Sequence, residues 1–123
     1  MENYQYRFEK LNVWIEARAL VVMVYGIIKK FPVEERFALC DQLRRAVISV
    51  PSNIAEGCGR VSIKEQIHFM EIAYGSLMET YTQLQIGVDL NYITDDELQP
   101  AKNKIGAVAK LLSGFRNSLV ARQ

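Results

Sequence analysis

Proline and glycine are scarce in this 123-residue chain, which has three prolines and seven glycines. This composition is poor for an all-β sandwich, whose many short strands need frequent Gly- and Pro-rich turns, and it favours long helices. An excess of one charge is also lacking, because 15 Lys and Arg residues stand against 14 Asp and Glu residues. A net charge of +1 excludes a strongly basic nucleic-acid coat and a polyacidic tail.

Cysteines are few, and long apolar runs are absent. Cys40 and Cys58 have neither a disulfide framework nor zinc-binding spacing, so we expect buried free thiols in a reducing compartment. The most apolar run, 19–28, is about half of the ~20 residues that span a bilayer, and no secretory signal is visible. We therefore expect a cytoplasmic protein that has no membrane partner.

Only one histidine, His68, is present, and this limits the chemistry available. A di-iron bundle needs a Glu-x-x-His motif on each of two helices. The Gly-Cys-Gly segment at 57–59 lacks the lysine and the spacing of a P-loop. Arg60 and His68 are separated by seven residues, more than the four to six of the Arg-x-His motif in some helical ribonucleases. We expect no catalysis, no metal and no cofactor, with His68 on the surface.

Helix start and stop signals predict four helices, at residues 9–31, 33–57, 62–90 and 94–121. Pro32 ends the first helix, because a proline disfavours helical geometry in the residue before it. Ser62 and Thr94 each precede a glutamate by three residues, which is the spacing of a capping box. Pro51 predicts a kink inside the second helix, since its ring removes one backbone N–H. The alternative is two separate helices divided at Val50.

Apolar residues recur at spacings of three and four on all four predicted helices. The third helix has the longest such seam: Ile63, Ile67, Met70, Tyr74, Leu77, Tyr81, Leu84 and Val88. Four consecutive seams joined by short connections predict an all-α fold, an antiparallel up-and-down four-helix bundle. We expect residues 1–123 to form this single domain, with a flexible segment at 1–8.

Further apolar residues lie outside these seams. On the first helix, Leu20 and Ile27 flank the seam, while Ile15, Val22 and Met23 lie beyond it. The simpler interpretation is a wide core arc, and the alternative is an interface between copies, because contiguous exposed apolar patches mark interfaces. We expect a homo-oligomer whose interface includes Phe37, Ile48, Pro51, Ala55, Ile15 and Val22.

The charges are unevenly distributed along the second half of the chain. Residues 65–101 contain seven acids and no Lys or Arg, whereas residues 102–123 contain five bases and no acid. Ion pairs between adjacent helices are one interpretation, and a basic surface for RNA or DNA is the other. The candidate nucleic-acid contacts are Arg44, Lys102, Lys104, Lys110 and Arg116.

A polar group on the second helix, spaced by four, four and three residues, consists of Arg45, Ser49, Asn53 and Glu56. The hydroxyl of Ser49 or the amide of Asn53 could satisfy carbonyls that Pro51 frees. We interpret the group first as a structural network. The alternative is the site of an uncharacterised enzyme or small-ligand binder.

Several segments resemble the 23S rRNA intervening-sequence protein family, also called the four-helix bundle protein family. They are FPVEERFAL at 31–39, QLRRAVISVPSNIAEG at 42–57, IAYGSLMET at 72–80, FEKLNVW at 8–14 and LNYI at 90–93. The second segment is the most specific. The family motif residues carried here are Arg44, Arg45, Ser49, Asn53, Glu56 and Gly57.

This resemblance implies an up-and-down bundle, a bacterial cytoplasmic setting and a homopentameric ring. A related branch of accessory proteins binds nucleic acid and is markedly basic, unlike this charge-balanced chain. From the resemblance to the family as a whole, we expect a non-enzymatic homo-oligomer that engages RNA, DNA or a ribonucleoprotein partner, its precise role being unknown.

Overall fold

The computed structural model describes residues 4–123, and within them the chain forms four α-helices and no β-strand. The helices are α1 (Asn12–Ile28), α2 (Leu39–Cys58), α3 (Ile63–Asp89) and α4 (Asp95–Ala121). Short 3-10 turns at Arg7–Lys10 and Val33–Glu35 precede α1 and α2. The predicted all-α four-helix fold is confirmed.

Each helix packs against two of the other three. α1 and α3 each contact both α2 and α4, whereas no contact joins α1 to α3 or α2 to α4 in the described part of the chain. Short connections reverse the chain direction between consecutive helices. The helices therefore occupy the corners of a square, and the outer surfaces of α1 and α3 face away from each other.

The core follows the predicted seams, with two differences. Leu20 and Ile27, which flank the α1 seam, are buried, so a wide core arc accounts for both residues. Tyr74, predicted in the α3 seam, is exposed instead. α3 contacts α2 as well as α4, and its buried arc therefore extends to Ala73 and Thr80 on the α2 side.

The predicted start of the second helix at residue 33 is wrong. Ala38 has φ −117° and ψ −102°, which lies outside the helical region and separates the turn from α2. A carboxylate oxygen of Glu35 accepts a hydrogen bond from the Leu39 N–H at 3.3 Å and so caps α2. α2 continues through Pro51 as one helix, and the alternative of two helices divided at Val50 is therefore excluded.

The predicted capping box forms in full at α4, and its serine half forms at α3. The Ser62 hydroxyl accepts from the Glu65 N–H at 3.1 Å, which opens α3. At α4, the Thr94 hydroxyl accepts from the Glu97 N–H, and the Glu97 carboxylate accepts from the Thr94 N–H at 2.9 Å. Hydrogen bonding to Lys30 and to the Thr94 backbone lowers the pKa of Glu97.

The predicted flexible segment at 1–8 falls partly outside the described residues, which begin at Tyr4. From there the chain contacts the bundle. The Phe8 ring packs edge-on against the Trp14 ring of α1, with 4.9 Å between the ring centroids. The flexibility of the segment stays a prediction.

Gly57 allows α2 to approach α3 closely. A β-carbon at this position would lie 2.5 Å from the Met70 methyl carbon and 2.7 Å from the Phe69 β-carbon. The Met70 side chain can move, but the Phe69 β-carbon can move only with the α3 backbone. Glycine is therefore required here for the observed helix spacing.

Replacing Gly57 by alanine should lower the free energy of unfolding by about 1–3 kcal/mol, because the added methyl group overpacks the α2–α3 contact. Gly114→Ala is the matched control, since a β-carbon there meets nothing within 4 Å and alanine favours a helix. Urea denaturation of both variants, followed by circular dichroism, measures the difference. Equal stabilities would contradict the steric role of Gly57.

Candidate functional site

The contact between α2 and α3 contains a stripe of small and polar residues, which we name the polar seam. Its α3 members recur at spacings of three and four: Ala73, Ser76, Thr80 and Gln83. Its α2 members are Ser49, Asn53 and Gly57. These three α2 residues all belong to the motif that the sequence singles out, and the seam lies beside the apolar core.

Hydrogen bonds join the two helices across this seam. The Ser49 and Ser76 hydroxyl oxygens are 2.9 Å apart. The Asn53 side-chain amide donates to both the hydroxyl and the carbonyl oxygen of Ser49, at 2.8 Å each. Pro51 has no N–H to donate to the Val47 carbonyl, so Val47 has the carbonyl that the proline leaves free. Contrary to the prediction, Asn53 does not donate to this carbonyl. It binds Ser49 instead, which orients the serine toward α3.

Gln83 is a seam residue that the sequence reasoning missed. Its side chain is only 6% exposed, and its amide donates to Gln42 at 3.4 Å and to Glu79 at 3.3 Å. Its carbonyl oxygen is buried without a hydrogen-bond partner. The sequence signal for Gln83 is its spacing from Ser76 and Thr80, because spacings of four and three place these polar residues on one face of α3.

The charged motif residues do not join this network. Arg45 forms an ion pair with Asp41 at 3.2 Å, and its side chain is 80% exposed. Glu56 pairs with Arg60 at 2.9 Å, also within one helical turn. Exposed pairs of this kind contribute little stability. The motif therefore divides into an inner set that packs α2 on α3 and an outer set that faces solvent.

Arg44 has a separate position, at the start of α2. Its guanidinium donates to the Arg36 carbonyl at 2.8 Å and so ties α2 to the preceding turn. Arg44, Arg36 and Lys29 line one groove of about 240 Å³, together with the buried Cys40. Three cationic side chains thus border one groove whose lining includes no acid. We call it the basic groove.

The cations of α4 are arranged differently. Arg116 donates two hydrogen bonds to one oxygen of Glu71 on α3, at 2.7 and 3.0 Å. Lys104 contacts Glu16 of α1 at 2.6 Å. The Arg116–Glu71 pair is the kind of ion pair between α3 and α4 that the charge distribution suggests, whereas Lys104 pairs with α1 instead. Lys102 lies over the Tyr81 ring at 6.0 Å. A role for these residues and for Lys110 in nucleic-acid binding stays a prediction.

An apolar groove of about 600 Å³ lies between the outer faces of α1 and α2. Val22 and Ile48, two of the predicted interface residues, line it with Tyr25, and Val22 is 73% exposed. Ile15 is exposed one heptad before Val22. We name this surface the apolar groove.

Of the remaining predicted interface residues, Phe37 is 85% exposed, with the Arg36 guanidinium 5.5 Å from its ring. Ala55 is half-buried. The expectation for Pro51 requires correction, because its ring is buried within the chain and is not available at a surface. A helical-wheel projection of α2 places Pro51 beside Ile48, but in the structure the proline faces the interior of the bundle.

The other reactive groups do not converge on a catalytic arrangement. His68 is exposed, and its ring lies 6.0 Å from the Phe69 ring. Cys40 and Cys58 are free thiols, and burial raises the pKa of each. Over residues 4–123, no cluster of three or more His, Cys, Asp or Glu side chains could hold a metal ion. Nor does any helix there combine the length and apolar character needed to cross a membrane.

Comparison with known proteins identifies similar sequences and folds. A family model described as 23S rRNA-intervening sequence protein matches residues 9–114. A solved structure with the same overall fold has a TM-score of 0.77 and 24% sequence identity, covering 85% of this chain and 97% of its own. It is described as a protein with unknown function from the S23 ribosomal protein family of Bacteroides thetaiotaomicron. No curated protein matches the chain.

The polar seam predicts a measurable coupling between Ser49 and Ser76. Each single alanine variant should lose about 1 kcal/mol of unfolding free energy, because it leaves the partner hydroxyl short of a hydrogen bond. The double variant should lose less than the sum of the two. Denaturant unfolding of the four proteins gives the coupling energy, and Ser52→Ala, at an exposed α2 position, is the control. Additive losses would contradict the hydrogen bond.

Proposed function

This chain belongs to the 23S rRNA-intervening sequence protein family, and we propose that it acts as a non-enzymatic protein that assembles with copies of itself. The observation that carries the proposal is the apolar groove, where Val22 is 73% exposed in the middle of α1. Burying a valine, leucine or isoleucine side chain contributes about 1.5–3 kcal/mol. Ile15 and Ile48 are each 43% exposed and Val22 is 73% exposed, so covering all three contributes part of this amount for each and favours association.

We propose that the assembly is a closed ring of five copies. Five is the number that the family resemblance implies, and an interface that repeats by rotation closes into such a ring. A reducing bacterial cytoplasm is the setting we propose, because it suits the two free thiols, Cys40 and Cys58.

RNA is the partner that we propose for the assembled form, through the basic groove. Arg36 and Arg44 line that groove, which supports a contact with phosphates. A ring would repeat the groove in every copy and multiply its positive potential, even though one chain has a net charge of only +1. Arg116 and Lys104 have carboxylate partners, so we assign them a smaller part.

The alternative of an enzyme or a small-ligand binder that uses Arg45, Ser49, Asn53 and Glu56 has no specific observation in its favour. Ser49 and Asn53 bind each other and Ser76, while Arg45 and Glu56 pair with residues of their own helix or its end. The four side chains therefore do not converge on one site: two belong to the polar seam and two to separate surface ion pairs.

Val22→Asp should dissociate the assembly, because a charge would be buried in an apolar interface. Sedimentation velocity should give a multiple of 14.1 kDa for the unchanged protein and 14.1 kDa for the variant. Val61→Asp is the control, since Val61 is 99% exposed and lies outside the groove. A monomeric unchanged protein at micromolar concentration would refute the proposal.

The variant with Arg36→Gln and Arg44→Gln should bind RNA more weakly, and the slope of log affinity against log salt should fall by about one for each phosphate that is no longer neutralised. Titration of a fluorescent RNA at two salt concentrations measures both quantities. Arg116→Gln is the comparison, because Arg116 is paired with Glu71. If only Arg116→Gln weakens binding, the RNA surface lies on α4 instead. Absence of binding at low salt would remove RNA from the proposal.

A further inference from the structure

The outer surface of α1 and its C-cap carry a second heptad stripe of three apolar or aromatic residues and two basic ones. Its members are Ile15, Arg18, Val22, Tyr25 and Lys29, and all five are exposed. No acid occurs on this stripe. We name it the basic stripe, and its central residues, Val22 and Tyr25, line the apolar groove together with Lys29.

The outer surface of α3 carries a matching stripe of the opposite charge. Its members, at spacings of three and four, are Glu65, His68, Ile72, Gly75, Glu79, Thr82, Ile86 and Asp89. Every one of them is exposed, and no Lys or Arg occurs on the stripe. We name it the acidic stripe. Ile72 and Ile86 are exposed isoleucines separated by two heptads, so the apolar residues of both stripes share one repeat.

The two stripes lie on opposite sides of the bundle. α1 and α3 occupy diagonal corners, with no contact between them in the described residues. A contact between the two stripes therefore cannot form within one copy. It can form between two copies, and each copy then keeps one free stripe of each kind for a further neighbour.

Resting on the self-assembly proposed above, we infer that the basic stripe of one copy packs against the acidic stripe of the next. Pairing two basic stripes would bring Arg18 and Lys29 of both copies together, and pairing two acidic stripes would do the same for Glu79 and Asp89. Like charges placed together weaken an interface, and opposite charges favour it. The assembly is therefore head-to-tail, which is the kind of contact that a closed ring requires.

The shape of both stripes permits a close approach. Gly26 on α1, beside the basic stripe, and Gly75 on the acidic stripe are helical glycines, and a β-carbon on either would meet nothing within 4 Å. The space above each is open in the single chain. A neighbouring helix can therefore approach the backbone closely at both positions, as in the packing of ridges into grooves.

Two variants test the inference, each with one stripe disabled: Val22→Asp on the basic stripe and the double change Ile72→Asp, Ile86→Asp on the acidic stripe. Each variant alone should sediment as a 14.1 kDa monomer, because every contact needs both stripes. Mixed in equal amounts, they should form a one-to-one dimer of twice 14.1 kDa. Only one intact pair of complementary stripes then remains, so growth stops at two.

Circular dichroism checks that both variants fold, and Val61→Asp, which changes neither stripe, should keep the mass of the unchanged protein. Retention of the full assembly by the acidic-stripe variant would overturn the inference while leaving self-assembly intact. Failure of the mixture to form a dimer, at concentrations where the unchanged protein is assembled, would also overturn it. A monomeric unchanged protein would instead refute the proposed function.

Discussion

The close contact between α2 and α3 determines which surfaces of this molecule remain available for binding. Gly57 leaves no room for a β-carbon beside Phe69, and the Ser49–Ser76 hydrogen bond joins the same two helices at 2.9 Å. Because Ser49 and Asn53 face inward there, the most distinctive polar residues of the sequence serve packing. The chemistry available to other molecules is therefore left to the outer faces of the bundle.

Those outer faces have a simple order. α1 presents exposed apolar residues with basic ones, and α3, at the diagonal corner, presents exposed apolar residues with acidic ones. On α4, by contrast, Lys104 and Arg116 are joined to Glu16 and Glu71. The near-neutral net charge thus conceals two surfaces of opposite sign. A surface arranged in this way is suited to binding another copy of itself.

The fold was largely predictable from the sequence, because heptad seams and caps such as Thr94 act locally. The start of α2 was not, since the backbone break at Ala38 has no signature in residue type. A helical wheel gave the angular position of Pro51 but not which side of α2 the neighbours cover. Gln83 was not predicted because apolar periodicity identifies the core face of α3 and does not distinguish a buried polar stripe beside it from a solvated face. The candidate site was therefore predicted only in part: its α2 residues were identified, whereas their partners on α3 depend on tertiary packing.

The central claim is that copies of this chain join through the outer faces of α1 and α3. Zero-length cross-linking of an equal mixture of ¹⁴N- and ¹⁵N-labelled protein, read by mass spectrometry, tests it most directly. The account predicts mixed-label cross-links between Lys29 of one copy and an acidic-stripe carboxylate, such as Glu79, of another. Cross-links confined to single copies, or mixed-label links that join only α1 to α1, would contradict it.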